Sequence, residues 1–175
     1  ATLLNGKAEV LSFGGQVMKN VAGYDVSRLL AGSLGTLGVI LEVSLKVLPV
    51  APATATLRFE MDQATALAQL NAWAGRPLPL NASAWWEGLL LVRLRGALAA
   101  VQSAIGDLGG EVVPADHARP FWTGLRDQTD EFFARANDAV AAGATLWRVA
   151  VPQTVPPLAL PGEQLVEWGG AQRWV

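Results

Sequence analysis

The sequence predicts an α+β fold in two parts, and two patterns carry this prediction. Residues 14–49 form a glycine-rich segment that ends in alternating apolar and polar positions, which is typical of a turn leading into a half-buried strand. Residues 54–113 follow the order β-α-β-β-α-β, which predicts a ferredoxin-like antiparallel sheet with both helices on one face. Pro49 and Pro52 interrupt strand pairing between the two patterns, so we place the domain boundary after residue 50.

Composition limits the class of protein. With 175 residues, 51% hydrophobic and 16% charged, the chain is globular, and a net charge of −2 offers no basic surface for nucleic acid. The absence of cysteine excludes a disulfide or an iron–sulfur cluster held by this chain. No apolar run reaches the roughly 18 residues of a membrane span, and no signal-peptide pattern opens the sequence. We therefore expect a cytoplasmic protein that would associate with the inner membrane only through partners.

The first part is predicted to contain few regular elements. Alternating residues around the dipeptide Asn5-Gly6 predict a hairpin. A short helix is expected over residues 27–31, with Asp25 as its N-cap and Gly32 just past its end. The alternation of residues 41–47 predicts a long strand after it.

The second part contains clearer signals. Asp62 and Gly75 mark the start and the end of a helix, and Glu87-Gly88 lies between two apolar runs as a hairpin turn. The predicted elements are strands over 54–60, 82–86, 89–95 and 111–113, and helices over 62–74 and 97–108. Beyond them we expect one or two helices over 116–137, with Pro120 in the first turn, and strands over 145–151 and 164–168 joined by a Pro-rich surface segment, 152–161.

The glycine-rich turn is the strongest candidate site. Gly32, Gly35 and Gly38 recur at every third position, and glycines permit positive φ and let backbone N–H groups approach an anion. Their spacing matches neither G-x-G-x-x-G nor a P-loop, since no Gly-Lys-Ser/Thr follows. From the spacing alone, a tight turn with a bulge at the start of a strand explains these glycines as well as a phosphate site does.

Two neighbouring motifs favour the phosphate interpretation. They are KNVAGYD (residues 19–25) and GSLGTLGVI (residues 32–40), followed by LEVSLKVLP (residues 41–49). Together they resemble the end of the PCMH-type FAD-binding domain in the FAD-linked oxidase family of vanillyl-alcohol oxidase and the D-2-hydroxy-acid dehydrogenases. Within that family, residues 13–20 are most similar to the FAD-binding subunits of bacterial glycolate oxidases. The resemblance implies the end of an FAD-binding domain over residues 1–50 and a cap domain with a C-terminal extension over residues 51–175.

The resemblance also implies cofactor contacts. In the family one set of positions lies along the FAD pyrophosphate, ribose and adenine, mostly through backbone groups, and here these are Gly32, Ser33, Gly35, Thr36, Gly38, Val39 and Ile40. A second set lies near the flavin or braces its loop, and here these are Asn20, Gly23, Tyr24 and Asp25. Turn formation alone would also explain the second set, because Asn and Asp beside Gly are common turn residues. Relatives often carry Glu where Leu34 stands, so one polar contact is expected to be missing.

The activity implied by the resemblance is the FAD-dependent oxidation of a 2-hydroxy acid, glycolate to glyoxylate, with electrons passed to other glycolate oxidase subunits. Those partners would include a homologous flavin subunit and an iron–sulfur subunit. In the family a preceding region carries the second glycine-rich loop, so we expect this chain to be a C-terminal fragment that does not retain FAD and is inactive alone. Two alternatives stay open: a non-catalytic assembly or electron-relay subunit, and a ferredoxin-like ligand-binding module with a glycine-rich extension.

Few side chains in the second part point to chemistry. His117 is the only histidine, and one histidine cannot build the paired-histidine metal site of the related D-2-hydroxy-acid dehydrogenases, so we assign no metal and no catalytic residue. All seven tryptophans follow the linker; Trp122 is predicted to fill a core. Neighbours in a strand face opposite ways, so one of Trp85 and Trp86 is expected to point away from the core, toward an interface or a flavin. Arg148 and Arg173 are candidates to bind a carboxylate.

Overall fold

The computed structural model describes residues 1–15 and 23–175, and it contains two compact units, Ala1–Pro49 and Val50–Val175. The strands of the described residues are β1 Thr2–Leu4, β2 Val10–Ser12, β3 Val39–Glu42, β4 Ala53–Glu60, β5 Leu80–Trp86, β6 Leu89–Gly96, β7 Glu111–Val113, β8 Arg148–Ala150, β9 Leu165–Glu167 and β10 Gln172–Trp174. The helices are α1 Val26–Leu29, α2 Gln63–Ala74, α3 Leu98–Leu108, α4 Ala115–Asp127 and α5 Glu131–Ala141, with a 3₁₀ turn at Trp168–Gly170. Antiparallel sheets and helices together confirm the predicted α+β class.

The first unit is built around a small antiparallel sheet. Within the described residues its strand order is β2-β1-β3. The Asn5 side chain shapes the hairpin turn, because its Oδ1 accepts hydrogen bonds from the backbone N–H groups of Lys7 (2.9 Å) and Glu9 (3.0 Å). The predicted hairpin is therefore confirmed, and a polar side chain holds its turn.

Two elements of the first unit differ from the prediction. Strand β3 ends at Glu42, so residues 43–47 do not continue it, and Val39 is 59% exposed rather than half-buried. The strand is short because its partner β1 offers only three residues for pairing. Helix α1 has the predicted N-cap, since Asp25 Oδ1 accepts from the Arg28 N–H at 3.1 Å, but its last residue is Leu29.

The second unit has the predicted β-α-β-β-α-β order. Strands β7-β4-β6-β5 lie side by side and all pair antiparallel, and α2 and α3 pack on one face of them. Asp62 caps α2, and the Glu87-Gly88 turn joins β5 to β6, as predicted. The buried residues of this first core are Leu57, Ala66, Leu70, Trp73, Leu90, Val92, Leu94, Val101 and Ala104.

A second core lies on the opposite face. Strands β9, β10 and β8 extend the sheet to β7-β4-β6-β5-β9-β10-β8, and α4 and α5 cover the face that α2 and α3 leave open. Its buried residues are Ala84, Leu125, Phe132, Phe133, Leu165 and Trp174. Trp85 packs against the first core and Trp86 against the second. The expectation that one of this pair points away from the core is therefore wrong, because both faces of the sheet are covered.

Helices α4 and α5 are separated by a tight turn. Gln128 ends α4 with φ 57°, and a side chain on Gly124 would lie 2.9 Å from the Asp130 Cβ, so glycine lets the start of α5 approach. Pro120 lies in the second turn of α4 and not in the first, because the helix already begins at Ala115. None of the helices in the described part of the chain has the length and apolar character of a membrane span.

The aspartates that cap α2 and α5, Asp62 and Asp130, are expected to respond to pH in opposite directions. Burial is the largest influence on Asp130 and raises its carboxyl pKa, whereas the backbone N–H of Thr65 lowers the pKa of Asp62. A raised pKa stabilises the fold at low pH and loses this stabilisation as pH rises through the folded-state value, while a lowered pKa does the reverse. Asp130→Asn, which keeps an acceptor for the cap, is therefore expected to raise the urea midpoint at pH ~7.

Asp62→Asn is the matched change at the start of α2, and it is expected to lower the same midpoint. Urea unfolding between about pH 4 and 7 measures both variants. A lower midpoint for Asp130→Asn at neutral pH would contradict the assignment of burial as the dominant effect.

Candidate functional site

The glycine turn connects α1 to β3 through successive backbone turns. The N–H of Ser33 donates to the Leu30 carbonyl (3.2 Å), that of Thr36 to the Ser33 carbonyl (3.0 Å), and that of Gly38 to the Gly35 carbonyl (3.2 Å). The Thr36 hydroxyl also donates to the Ser33 carbonyl at 2.7 Å. The turn is thus held by its own backbone, and it projects from the end of a short helix.

The three glycines have different roles in this turn. All adopt positive φ, at 77° for Gly32, 79° for Gly35 and 138° for Gly38. A Cβ on Gly38 would lie 2.5 Å from the Leu4 carbonyl oxygen, so this glycine allows β3 to pack closely on β1. Apart from the adjacent residues of the chain, no atom of the described residues lies within 4 Å of a Cβ placed on Gly32 or Gly35. These two glycines therefore leave open space beside the backbone.

The same turn contains backbone donors that its own hydrogen bonds do not use. Among the described residues, the N–H groups of Gly32, Leu34, Gly35 and Leu37 have no hydrogen-bond partner. Leu34 is 95% exposed and holds φ 51°, an uncommon conformation for a residue that is not glycine. Successive N–H groups in mixed left- and right-handed conformations form a concave site for anions. Since residues 32–40 carry no charged side chain, neutral donors alone would bind the anion.

The end of the turn presents an apolar edge. Val39 is 59% and Ile40 44% exposed, and β3 pairs only with β1 within the described residues. An edge strand with exposed apolar side chains can contact a flat organic ring while its backbone stays available for hydrogen bonds. The seven candidate positions from Gly32 to Ile40 therefore lie on one continuous segment, exposed except at the half-buried Ser33 and Gly38.

The described residues of the second candidate set, near the start of α1, have no contact that they share. Asn20 lies outside the described residues. Gly23 has φ 77°, and apart from its chain neighbours no atom of the described residues lies within 4 Å of a Cβ placed on it, while Tyr24 is 95% exposed. Asp25 is engaged as the cap of α1, and its Oδ2 lies 3.3 Å from Arg28 Nε. Nothing in these contacts distinguishes a cofactor loop from a capped turn.

The side-chain candidates of the second unit make structural contacts. Arg173 is fully buried, and its guanidinium donates to the backbone carbonyls of Val155, Pro156 and Gly170, so its prediction as a carboxylate ligand is wrong. Exposed Arg148 lies 5.8 Å from the Trp174 ring. His117 is exposed, and no group of three metal-ligating side chains occurs in the described part of the chain.

A cleft of about 280 Å³ lies beside the predicted tryptophan pair, lined by Trp85 and Trp86. Arg135 stacks on Trp86 at 4.9 Å, and its guanidinium is paired with Glu87, Glu131 and Glu163. These acids raise the pKa of Arg135 above the usual value, and the largest cause is the hydrogen bond that its guanidinium donates to Glu131. A cation satisfied by three carboxylates has little to offer an anionic ligand, so this cleft is a weak candidate site.

Sequence reasoning missed Arg93 in β6. Its side chain is half-buried, stacks on Trp122 at 5.0 Å and donates from Nε to Asn81 Oδ1 at 2.7 Å. Burial first, and the charge of Arg95 second, lower its pKa. The available signal was a basic residue at the centre of the strand Leu89–Gly96, flanked by apolar residues on both sides.

Comparison with known proteins gives this geometry a context. Over 173 residues, 99% of the chain, the sequence is 43% identical to "Glycolate oxidase subunit GlcE" of Escherichia coli (strain K12). The chain is a relative of glycolate oxidase subunit GlcE. It spans about half of that relative, 46% of its length. A shorter match, 40% identical over 67 residues and 38% of the chain, is to 14% of "Glycolate oxidase subunit GlcD" of Bacillus subtilis (strain 168).

The similarity to GlcE runs through both units, because it covers nearly the whole chain. No family model matches the sequence. No solved structure matches it either, so the fold of this GlcE relative is described from its own strand order and packing.

Proposed function

We propose that this chain forms part of an FAD-binding subunit of a glycolate oxidase, a multi-subunit enzyme that oxidises glycolate to glyoxylate. The observation that carries the proposal is the set of N–H groups at Gly32, Leu34, Gly35 and Leu37, which have no partner among the described residues, together with the open space beside Gly32 and Gly35. The names of the related proteins support the reaction class and the presence of several subunits. In this proposal, residues 1–50 end a PCMH-type FAD-binding domain and residues 51–175 form its cap.

The residues of the turn fit the diphosphate of FAD. The negative charge of the diphosphate would be stabilised by the backbone N–H dipoles of the turn. These dipoles are already in place in the turn, so no charged side chain is required. Ser33 adds a hydroxyl group at the same turn, whereas the Thr36 hydroxyl would have to release the Ser33 carbonyl before it could donate to a phosphate. Val39 and Ile40 would contact the ribose and adenine along the edge of β3. When bound, the flavin supplies a two-electron acceptor for the substrate hydride.

The chain's own role is to bind and orient the cofactor. We assign no general base to it, because the exposed His117 has no partner that would orient or activate it in the described part of the chain. The residues that abstract the substrate proton would then belong to a homologous flavin subunit, and an iron–sulfur subunit would take the electrons. The alternative role is a non-catalytic assembly or relay subunit.

Absorbance spectroscopy of the natural full-length polypeptide tests this proposal. A purified protein with a flavin spectrum and near-stoichiometric FAD is expected, whereas a colourless protein that does not take up added FAD would overturn it. Glycolate oxidation by the subunit alone, and then with its partners, separates the catalytic from the relay role. The 175-residue chain by itself is expected to bind FAD weakly.

Gly35→Val is expected to weaken FAD binding at least about tenfold in the full-length polypeptide. A β-branched residue disfavours the φ of 79° and fills the open space beside the free N–H groups. Fluorescence titration of the apoprotein with FAD gives the dissociation constants.

A control variant accompanies this change. Gly6→Ala adds a methyl group to an open position of the hairpin, outside the turn. It should bind FAD within about twofold of the natural protein. If Gly35→Val binds FAD as tightly as the natural protein does, this turn is not part of the FAD site.

A further inference from the structure

Two arginines of β6 lie on the same face of the sheet of the second unit. Val92 and Leu94 belong to the first core, which α2 and α3 cover. Arg93 and Arg95 alternate with them along the strand, so their side chains point to the opposite face, which α4 covers. The Trp122 ring of α4 lies on this face too, because it stacks on Arg93 at 5.0 Å. Since β6 pairs with β4 without a register shift, the Cα atoms of the two arginines are about 7 Å apart.

The charge of this arginine pair is not balanced by a neighbour. Neither arginine has an ion pair among the described residues. The strand segments that pair with β6 here, residues 53–56 of β4 and 80–84 of β5, contain no acidic residue. Burial first, and the charge of Arg95 second, lower the pKa of Arg93, so the two cations are close enough to repel each other. A bound anion would remove part of this cost.

Arg93 is held in one orientation by its neighbours. Its Nε donates to Asn81 Oδ1 at 2.7 Å, and the Trp122 ring that supports it is fixed, since Trp122 Nε1 donates to Thr56 Oγ1 at 2.9 Å. The four N–H donors on its two Nη atoms have no partner among the described residues. Arg95 is exposed, and its guanidinium has no partner there either. An anion would therefore meet one preoriented guanidinium and one that can adjust to it.

We propose that Arg93 and Arg95 bind a phosphoryl group, as free phosphate or as a phosphate monoester. A phosphoryl dianion carries two negative charges on one compact group, and its oxygens can accept from two guanidinium groups at once. A monocarboxylate would balance only one of the two cations. The site belongs to the second unit and shares no residue with the glycine turn of the proposed FAD site.

Titration of the purified full-length polypeptide with inorganic phosphate tests this proposal at pH ~7.5, where a phosphoryl group carries between about 1.5 and 2 negative charges. The indole N–H signal of Trp122 in the NMR spectrum, assigned with Trp122→Phe, reports binding beside Arg93 and gives the dissociation constants. Inorganic phosphate is expected to shift this signal saturably. Acetate, a monoanion, is expected to bind at least about tenfold more weakly.

Two further ligands, glycerol 3-phosphate and malonate, define the ligand class. Binding of both phosphates supports a site that accepts monoesters, and binding of inorganic phosphate alone supports a site for the free ion. Acetate that binds as tightly as phosphate would overturn the role of the paired charges. Malonate, a dicarboxylate, would overturn the choice of a phosphoryl group if it bound more tightly than either phosphate. A Trp122 signal that phosphate does not shift would remove the site altogether.

Substitutions locate the anion. Arg93→Gln and Arg95→Gln are each expected to weaken phosphate binding at least about tenfold, equivalent to ~1.4 kcal/mol. Arg58→Gln is the matched control, because Arg58 lies on the same face of the neighbouring strand β4 and is already paired with Glu60 and Glu111, each at 2.8 Å. It should change the affinity less than about twofold. Equal effects of the three variants would reduce the site to general electrostatic attraction and overturn the proposal.

Arg95→Gln keeps the test decisive if Arg93→Gln disturbs the fold. Arg95 is exposed and has no hydrogen bond or ion pair among the described residues, so its replacement is expected to leave the urea midpoint unchanged. Unchanged phosphate affinity in folded Arg95→Gln would contradict a site built from two arginines.

Discussion

Replacing Arg173 by methionine is expected to lower the free energy of unfolding of the second unit by about 3 kcal/mol. The Arg173 side chain is fully buried, and its Nε and both Nη groups donate to backbone carbonyls of Gly170, Pro156 and Val155. Methionine has a similar volume but no donor, so these carbonyls lose a charged partner inside the protein. Hydrogen bonds to charged groups contribute about 1.5–3 kcal/mol each, part of which water would restore.

Urea unfolding measures this loss, and limited thermolysin proteolysis locates it. Two of the three carbonyls belong to the Pro-rich segment 152–161, so faster cleavage within that segment is expected. Arg148→Met is the matched control on the adjacent strand β8, where the arginine is exposed and only lies over the Trp174 ring. Comparable destabilisation by the two changes would show that Arg173 does not hold the segment.

Phe133→Ala is expected to destabilise the second unit by about 3–5 kcal/mol. Phe133 is 2% exposed at the centre of the second core. Its ring contacts Phe132 and Trp174 edge-on, at centroid distances of 5.2 and 5.1 Å. Truncation removes both aromatic contacts and leaves a cavity between α5 and β10 that the backbone cannot close.

Tryptophan fluorescence during urea unfolding reports this change, since Trp174 lies against the deleted ring. Val140→Ala is the control on the same helix, because Val140 is 45% exposed and alanine is a better helix former. Its effect should stay within about 0.5 kcal/mol. A loss below about 1 kcal/mol for Phe133→Ala would mean that the second core is not packed as described.

Local signals allowed most of the second unit to be predicted. Asp62 and Gly75 mark the two ends of α2, and Glu87-Gly88 forms the hairpin turn. Helix capping and hairpin turns both depend on residues that are close along the chain, so the sequence predicts them. Strand β10 was missed because its three residues follow two glycines and have no periodicity of their own. The second core was missed because an amphipathic helix must bury its apolar face, but the sequence does not show which face of a sheet it packs against.

Residues 43–47 show the opposite error. Their alternation fits a strand, yet pairing needs a partner, and β1 is too short to provide one beyond Glu42. The pattern of apolar residues is therefore necessary for a strand without being sufficient.

The candidate site was only partly predictable. The positive φ expected of Gly32, Gly35 and Gly38 is present, because glycine is the residue that adopts it most easily. Which of the three faces open space depends on β1, more than 30 positions away in the chain, and no local pattern contains that information. Their contact with FAD stays a prediction. The carbonyl groups that accept hydrogen bonds from Arg173, and the stacking of Arg93 on Trp122, likewise follow from tertiary packing.

The position of β10 between β9 and β8 has a consequence for synthesis. The strands β7, β4, β6 and β5 and both helices of the first core are complete at Val113, whereas β8 has no neighbour until Gln172–Trp174 is made. That interval of roughly 60 residues takes several seconds at about 5–20 residues per second. Phe132 and Phe133 are made about 20 residues into this interval, and for the remaining residues, about 40, they lack the cover of Trp174. The nascent chain therefore exposes an aromatic surface at the ribosome, where it is open to aggregation and to chaperones.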